Sequence, residues 1–138
     1  MLIKENKRVV RRYLEEFHSK RALSLADEIL VPEFRESTLG LARMMTTAFP
    51  DFQITIVDQV AEGDKVATVW TGRGTHQGNW MSPIGAIPPS GKAVTWTATT
   101  TLRIRDGQIA EVIGTNWDHL GILQQMGTLP DTAPRAGA

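Results

Sequence analysis

The dipeptide Asp106-Gly107 and the two apolar-rich runs beside it constrain the fold of this chain more than any other feature. The runs cover residues 99–105 and 108–115. A two-residue hairpin loop needs positive φ angles, which Asp tolerates and Gly adopts without strain. We therefore predict two antiparallel strands joined by a tight turn. The second run ends in Asn116-Trp117-Asp118-His119, a polar and aromatic cluster near which we expect the chemistry of the protein.

Hydrophobic periodicity upstream predicts three helices before any strand. In the first of them Val10, Tyr13, Leu14 and Phe17 have the i, i+3, i+4, i+7 spacing of one helical face. The predicted helices cover residues 4–19, 22–31 and 38–49. Pro32 is expected to stop the second helix, because proline cannot continue it, and Thr38 is the expected N-cap of the third.

After Pro50 the apolar period changes to two, which is typical of strands. Strands are predicted from Phe52 to Ile56 and over residues 65–77, 92–105 and 108–115. Residues 78–91 contain three prolines and three glycines and are predicted to form a loop. Helices followed by antiparallel strands indicate an α+β fold. A last short helix is predicted over residues 119–126.

Size and charge exclude several classes of protein. The 138 residues suit one domain, placed at residues 1–127, with a flexible tail at 128–138. Fifteen basic residues balance fifteen acidic ones, which gives no sign of a nucleic-acid or membrane partner. The N-terminal segment is too charged for a signal peptide, and no apolar run is long enough to span a membrane, so a cytoplasmic protein is expected.

Metal and cofactor sites are not indicated. The chain has no cysteine, and its three histidines lack ligand-type spacing. No glycine-rich phosphate loop leads from a strand into a helix, so no cofactor is predicted. His18 and His119 are expected to be surface residues at helix ends.

Five segments of the chain match segments of a known protein family, and they occur in the same order as in that family. They are NKRVVRRYLEEF, AFPDFQITIVDQVAEGDKVATVWTGRGTHQG, IPPSGKAVTW, RIRDGQIAEV and NWDHLGILQQMG. Together these segments resemble the SnoaL-like polyketide cyclase family of the nuclear-transport-factor-2-like superfamily, over about residues 6–127. The resemblance implies a cone-shaped α+β barrel, in which a curved antiparallel sheet wraps the N-terminal helices. It also implies an open cavity for a small hydrophobic, polyketide-like substrate, and a homodimer formed sheet to sheet. Thr95, Thr97, Thr99 and Thr101 form an uncharged stripe that fits such an interface.

The resemblance does not carry the family's catalytic residues into this chain. In the cyclases of the family an Asp on the closing strand is the acid/base, assisted by a His, a Gln and an Asn. In this chain, the position of the Asp is taken by Gly114 or Thr115, and the position of the His by Thr100. The position of the Gln is taken by Ala98, and that of the Asn falls near Glu36. Because none of the four is kept, the usual mechanism cannot transfer intact.

Four other residues are candidates for proton transfer. Asp118 is a candidate base with Asn116 as a donor to a substrate carbonyl, and its alternative role is a cap on the last helix. Glu36 is the second candidate carboxylate, and it could instead be a solvated residue or a partner of Arg35. His76 has a pKa suited to proton transfer, but a structural hydrogen bond to the neighbouring loop is equally compatible.

Aromatic and other large side chains on the inner positions of the helices and strands are candidates for substrate binding, because they suit a planar apolar ligand. Their alternative role is to fill the core. The candidates are Tyr13, Phe17, Phe34, Met45, Trp70, Trp80, Trp96, Thr100 and Trp117.

Three functions are compatible with these observations. The first is a cofactor-independent enzyme that cyclises or isomerises a hydrophobic carbonyl substrate by acid/base chemistry. The second is a polyketide hydroxylase-type protein, which the resemblance implies for members that lack the cyclase residues. The third is a protein that binds a hydrophobic ligand without turnover.

Overall fold

The computed structural model describes residues 2–129, which form four α-helices and six strands. The first helix has an α-helical part and a π-helical part, and a short 3-10 turn, Leu23–Leu25, follows it. The helices are α1 (Leu2–Arg11), its π-helical continuation (Arg12–Ser19), α2 (Ala26–Ile29), α3 (Pro32–Ala48) and α4 (His119–Gln125). Residues 130–138, most of the predicted tail, lie outside the described residues, and the domain boundary at residue 127 stays a prediction.

Two of the predicted helices differ from the observed ones. The second is only a 3-10 turn and one α-helical turn, and it ends at Ile29 rather than at the predicted Val31. The predicted start of the third helix at Thr38 is wrong, since α3 begins at Pro32. Proline is well suited to the first turn of a helix, where no N–H partner is needed. As a consequence, Phe34 and Glu36 lie on α3.

Four strands form the main antiparallel sheet, in the order β1-β2-β5-β6. They are β1 (Gln53–Glu62), β2 (Lys65–Thr75), β5 (Ala93–Arg105) and β6 (Gln108–Trp117). The turn between β5 and β6 has φ of 52° at Asp106 and 77° at Gly107. Positive φ at both central residues defines the predicted hairpin, which is thereby confirmed.

The sheet is strongly curved because three extra residues interrupt its ladders. Val57 is bulged out of β1 opposite β2, and Ala110 and Ile113 are bulged out of β6 opposite β5. Each bulge bends its strand and increases the local twist. The curved sheet forms the cone that was predicted, and the N-terminal helix packs on its concave side.

The predicted loop at residues 78–91 contains a short hairpin instead. Its strands are β3 (Trp80–Ser82) and β4 (Gly85–Ile87), paired antiparallel. The Ser82 hydroxyl donates a hydrogen bond to the Gly85 carbonyl oxygen at 2.7 Å and closes the turn. The hairpin brings Trp80, only 2% exposed, into the core.

The two faces of β5 differ as the alternation predicts. Val94, Trp96, Ala98, Thr100, Leu102 and Ile104 are buried. On the opposite face Thr95 and Thr97 are exposed, and Thr99 and Thr101 are partly buried by neighbouring strands. The predicted dimer contact through this threonine stripe stays a prediction.

Candidate functional site

A cavity of about 260 Å³ lies between the N-terminal helix, α3 and the concave face of the sheet, and it is partly open to solvent. Most of its wall is apolar, with Met44, Met45 and Leu41 supplied by α3 and Trp70 and Trp117 by the sheet. None of the lining residues within the described range is Asp, Glu, Lys or Arg. The cavity therefore suits an uncharged ligand, since burying an unpaired charge is very costly.

A short hydrogen-bond network supplies the polar groups on the sheet side of the cavity. The Trp70 indole Nε1–H donates to Thr100 Oγ1 at 3.0 Å, and Thr100 Oγ1 lies 3.0 Å from Thr115 Oγ1. Only one hydrogen can lie between the two hydroxyl oxygens, whichever threonine donates it. The other hydroxyl hydrogen remains available for a ligand oxygen.

The π-helical segment places a second pair of polar side chains on the helix side of the cavity. Its hydrogen bonds join residues five apart, as in the bond from Lys20 N–H to the Glu15 carbonyl oxygen at 3.1 Å. Residues five apart then lie one turn above each other, so Tyr13 and His18 share a face. Their rings meet edge to face with centroids 4.6 Å apart, and both line the cavity.

The end of the π-helical segment is held against the sheet by Ser19, which is only 4% exposed. Its hydroxyl oxygen accepts a hydrogen bond from Ile54 N–H at 3.0 Å and donates to Gln53 Oε1 at 3.2 Å. These bonds attach the residue after His18 to the first two residues of β1. These bonds therefore help to hold the His18 ring in its position in the cavity.

His18 is a neutral imidazole in an apolar setting. It is 8% exposed, its ring packs edge to face on Phe17, and it has no hydrogen-bond partner among the described residues. Burial lowers the pKa of His18 from 6.5 to about 4, because charged imidazolium is poorly solvated there. Burial also raises the pKa of the Tyr13 hydroxyl above its ordinary value. Both groups are uncharged at neutral pH.

This environment makes the free energy of unfolding depend on pH. Between pH 6.5 and about 4 the unfolded chain binds the His18 proton and the folded chain does not, so stability falls as the pH falls through this window. The loss expected from His18 is about 3 kcal/mol, from about 1.4 kcal/mol for each pKa unit. Urea unfolding at pH 7 and pH 4 measures it, and His18→Gln should lose correspondingly less stability. Equal losses in both proteins would contradict the prediction.

His119 forms one part of the cavity wall together with the indoles of Trp80 and Trp117. Its ring stacks on Trp80 with centroids 5.9 Å apart and on Trp117 with centroids 6.0 Å apart. The His119 Nδ1 atom is buried without a partner among residues 2–129. The prediction that His18 and His119 are surface residues is wrong for His18, which is buried, and His119 is partly buried.

Six of the nine predicted substrate-binding residues line the cavity: Tyr13, Met45, Trp70, Trp80, Thr100 and Trp117. The other three do not line it. Phe17 is fully buried beside Tyr13, Trp96 is 2% exposed and stacks on Phe52 at 5.6 Å, and Phe34 is a partly exposed residue of α3. Their predicted contact with a ligand stays a prediction.

The four predicted catalytic residues lie outside the cavity wall. Asp118 is exposed, and its Oδ1 accepts a hydrogen bond from Gly121 N–H at 2.9 Å as the N-cap of α4. Asn116 and Glu36 are exposed. His76 is buried elsewhere, where its Nδ1 accepts a hydrogen bond from Ser90 N–H at 3.1 Å, and burial lowers its pKa. The roles predicted for them stay predictions.

Sequence reasoning missed the two histidines of the cavity. His18 is five residues after Tyr13, which in an α-helix places it about 140° away around the axis. The only sequence signal is that His18 follows Leu14 by four residues, at the edge of the apolar face. His119 is adjacent to the aromatic cluster, but its stacking partner Trp80 lies far away in the chain.

Among residues 2–129, no group of three or more potential metal ligands comes together. In the same part of the chain, no helix has the length and apolar character needed to cross a membrane.

The curved sheet, the helices packed in it and the apolar cavity define an α+β cone protein with an internal apolar cavity. The sequence profile of the SnoaL-like polyketide cyclases matches residues 7–126, and the chain belongs to this family.

Solved structures with the same fold include two proteins from Streptomyces species. AclR from Streptomyces galilaeus, described as a candidate hydroxylase, is 26% identical with a TM-score of 0.82, over 98% of this chain and 92% of AclR. IdmH from Streptomyces antibioticus, described as a candidate polyketide cyclase, is 27% identical with a TM-score of 0.75, over 88% of this chain and 98% of IdmH.

A SnoaL-like protein from Jannaschia sp. CCS1, also described as a candidate polyketide cyclase, is 20% identical with a TM-score of 0.82, over 94% of this chain and 96% of that one. At this identity the similarity concerns the fold alone. A comparison with curated protein sequences found no significant match.

Proposed function

We propose that this protein is a cofactor-independent enzyme that binds an uncharged, planar, carbonyl-bearing molecule of polyketide type and cyclises or isomerises it through an enolate. One observation carries the proposal. The cavity combines an unpartnered neutral imidazole, His18, with a hydroxyl network that has one free hydrogen. These are the two groups that enolate formation needs, a proton acceptor and a donor for the enolate oxygen.

In the proposed first step, His18 accepts a proton from the carbon next to the substrate carbonyl. The electrons of the C–H bond form the new carbon–carbon double bond, and the carbonyl electrons move to the oxygen. The free hydroxyl hydrogen of Thr100 or Thr115 then stabilises the oxygen, which has become negative. The imidazolium and the enolate are formed together in an apolar cavity, where their attraction is much stronger than in water.

The second step returns the proton. Where the enolate is conjugated with a further carbon–carbon double bond, protonation at the far carbon gives an isomer. Where the same molecule has a second carbonyl, attack of the enolate carbon on it forms a carbon–carbon bond and closes a ring, and the resulting alkoxide takes the proton. In either case the proton held by His18 passes to the product, so His18 is neutral again at the end. The similarity to IdmH, described as a candidate polyketide cyclase, supports this reaction class.

A hydroxylase-type function is the second candidate. The absence of a carboxylate from the described cavity wall and the similarity to AclR, described as a candidate hydroxylase, favour it. In this case an electron-rich substrate such as anthrone would react with O₂ at its CH₂ group. One oxygen atom would become the new carbonyl oxygen, and the other would leave as water with the two hydrogens of that CH₂ group, so that the substrate itself is the reductant.

Isotope labelling distinguishes the enolate mechanism from the hydroxylase mechanism. With 1-tetralone in D₂O, the enolate mechanism predicts that the protein accelerates deuterium uptake at the carbon next to the carbonyl, measured by NMR. With anthrone under ¹⁸O₂, the hydroxylase mechanism predicts ¹⁸O in the product above the uncatalysed level, measured by mass spectrometry. Binding with neither reaction would overturn both and indicate a ligand-binding protein.

The same assay tests the carboxylates predicted from the sequence. Asp118→Asn keeps an oxygen that can cap α4, and Glu36→Gln changes an exposed residue, so neither variant should disturb the fold. If His18 is the base, both variants retain full deuterium uptake. Loss of uptake in either one would identify that carboxylate as the base instead.

A further inference from the structure

We propose that the cavity encloses two fused six-membered rings and leaves any third ring or side chain of the ligand outside, against an apolar rim formed by Leu41, Met81 and Val112. This inference rests on the proposed function, because it specifies the substrate class of the same cavity. It concerns the size and position of the ligand rather than the reaction.

The volume of the cavity sets the number of rings. An apolar protein cavity of about 150 Å³ holds one benzene molecule. The cavity here has about 260 Å³. This is roughly 1.7 times as much and matches the size of two fused rings, which share one edge.

Buried aromatic rings close the cavity from behind and prevent a deeper position. Trp96 stacks on Phe52 with an angle of 6° between the ring planes, and its centroid is 5.3 Å from that of Trp117. Gly72 leaves room for Trp96, since a Cβ at Gly72 would lie 2.7 Å from the indole. Phe17 is fully buried beside Tyr13. A ligand with three rings therefore cannot move inward without displacing the core.

Four lining residues are exposed and mark the open side of the cavity: Thr115 of the hydroxyl network and three apolar residues. Leu41 on α3 is 40% exposed, Met81 on β3 is 56% exposed and Val112 on β6 is 45% exposed. Three separate elements thus contribute an apolar side chain to the same rim. A part of the ligand that extends beyond the cavity would contact this rim and bury apolar surface there.

A series of ketones with the same acetyl group tests the inference: acetophenone, 2-acetylnaphthalene and 2-acetylanthracene. Their affinities for the wild-type protein are measured by isothermal titration calorimetry. The second ring should improve affinity at least about tenfold, because it is fully enclosed. The third ring should add only about threefold, because it is half solvated at the rim.

Variants of the β3–β4 hairpin locate the third ring. Met81→Ser should remove the gain from the third ring and leave the gain from the second unchanged. The matched control is Ile84→Ser, in the turn of the same hairpin, because Ile84 is 59% exposed and does not line the cavity. It should change neither gain.

Three results would overturn the inference: a two-ring ketone that binds no tighter than acetophenone, a third ring that adds a further tenfold, or a third-ring gain unaffected by Met81→Ser. Each of these leaves the enolate mechanism standing if deuterium uptake by 1-tetralone depends on His18. Conversely, the expected affinity series without such uptake would support the substrate size and overturn the proposed reaction.

Discussion

His18→Gln is expected to slow deuterium uptake by bound 1-tetralone about 10²–10⁴-fold, the usual contribution of a positioned general base. Glutamine is polar and similar in length, but its side chain cannot accept a proton at neutral pH. Ligand affinity should change much less than the rate, because the apolar wall that binds the rings is intact. Saturation kinetics followed by NMR separate the effect on kcat from the effect on KM.

His119→Gln is the matched control, because His119 is the other imidazole of the cavity wall. Its Nδ1 atom is buried between two indoles, and the variant should keep most of the uptake rate. A large loss in His119→Gln with normal rates in His18→Gln would reverse the assignment. Urea unfolding of both variants at pH 7 shows whether either change has disturbed the fold.

Phe17→Ala is expected to destabilise the protein by about 3–5 kcal/mol, as for other buried phenylalanines that leave a cavity. Phe17 is fully buried, stacks near Tyr13 with centroids 5.7 Å apart and packs edge to face on His18 at 4.8 Å. Loss of its ring removes packing from the core and removes the contacts that support Tyr13 and His18. Urea unfolding at pH 7 measures the change.

Phe34→Ala provides the comparison for Phe17. Phe34 is partly exposed on α3 and does not line the cavity, so its loss should cost less than about 1.5 kcal/mol. A cost below about 1 kcal/mol for Phe17→Ala would show that its ring is not an essential part of the core. Ligand affinity measured on the folded fraction of Phe17→Ala then reports whether the ring also shapes the cavity.

Local sequence patterns predicted all four strands of the main sheet, because strand alternation and turn chemistry depend on neighbouring residues. The first strand is longer than predicted, since β1 continues beyond Ile56 to Glu62. Asp106 and Gly107 adopt the positive φ angles that their residue types allow. The alternation along residues 92–105 separates Trp96 and Thr100 from the threonine stripe, as observed. Six of the nine predicted ligand-binding residues line the cavity for the same reason, since they occupy inner positions of the helices and the sheet.

The helix start at Pro32 and the hairpin at residues 80–87 were not predicted. Proline signals both the end of one helix and the first turn of the next, and the sequence does not distinguish the two uses. Prolines and glycines around the hairpin suggested a loop, but two strands of three residues each fit between them. Short elements like these depend on contacts with α3 and the cavity rather than on their own composition.

The sequence by itself determined the antiparallel sheet, its main turn and the apolar lining, because these follow from spacing within single strands and helices. Only the tertiary structure decided which polar groups enter the cavity. The π-helical pitch turns His18 towards the cavity. Asp118 is outside the cavity because its side chain caps α4. The Trp70–Thr100–Thr115 hydrogen-bond network joins three strands. These outcomes depend on packing between distant segments, which a local pattern does not encode.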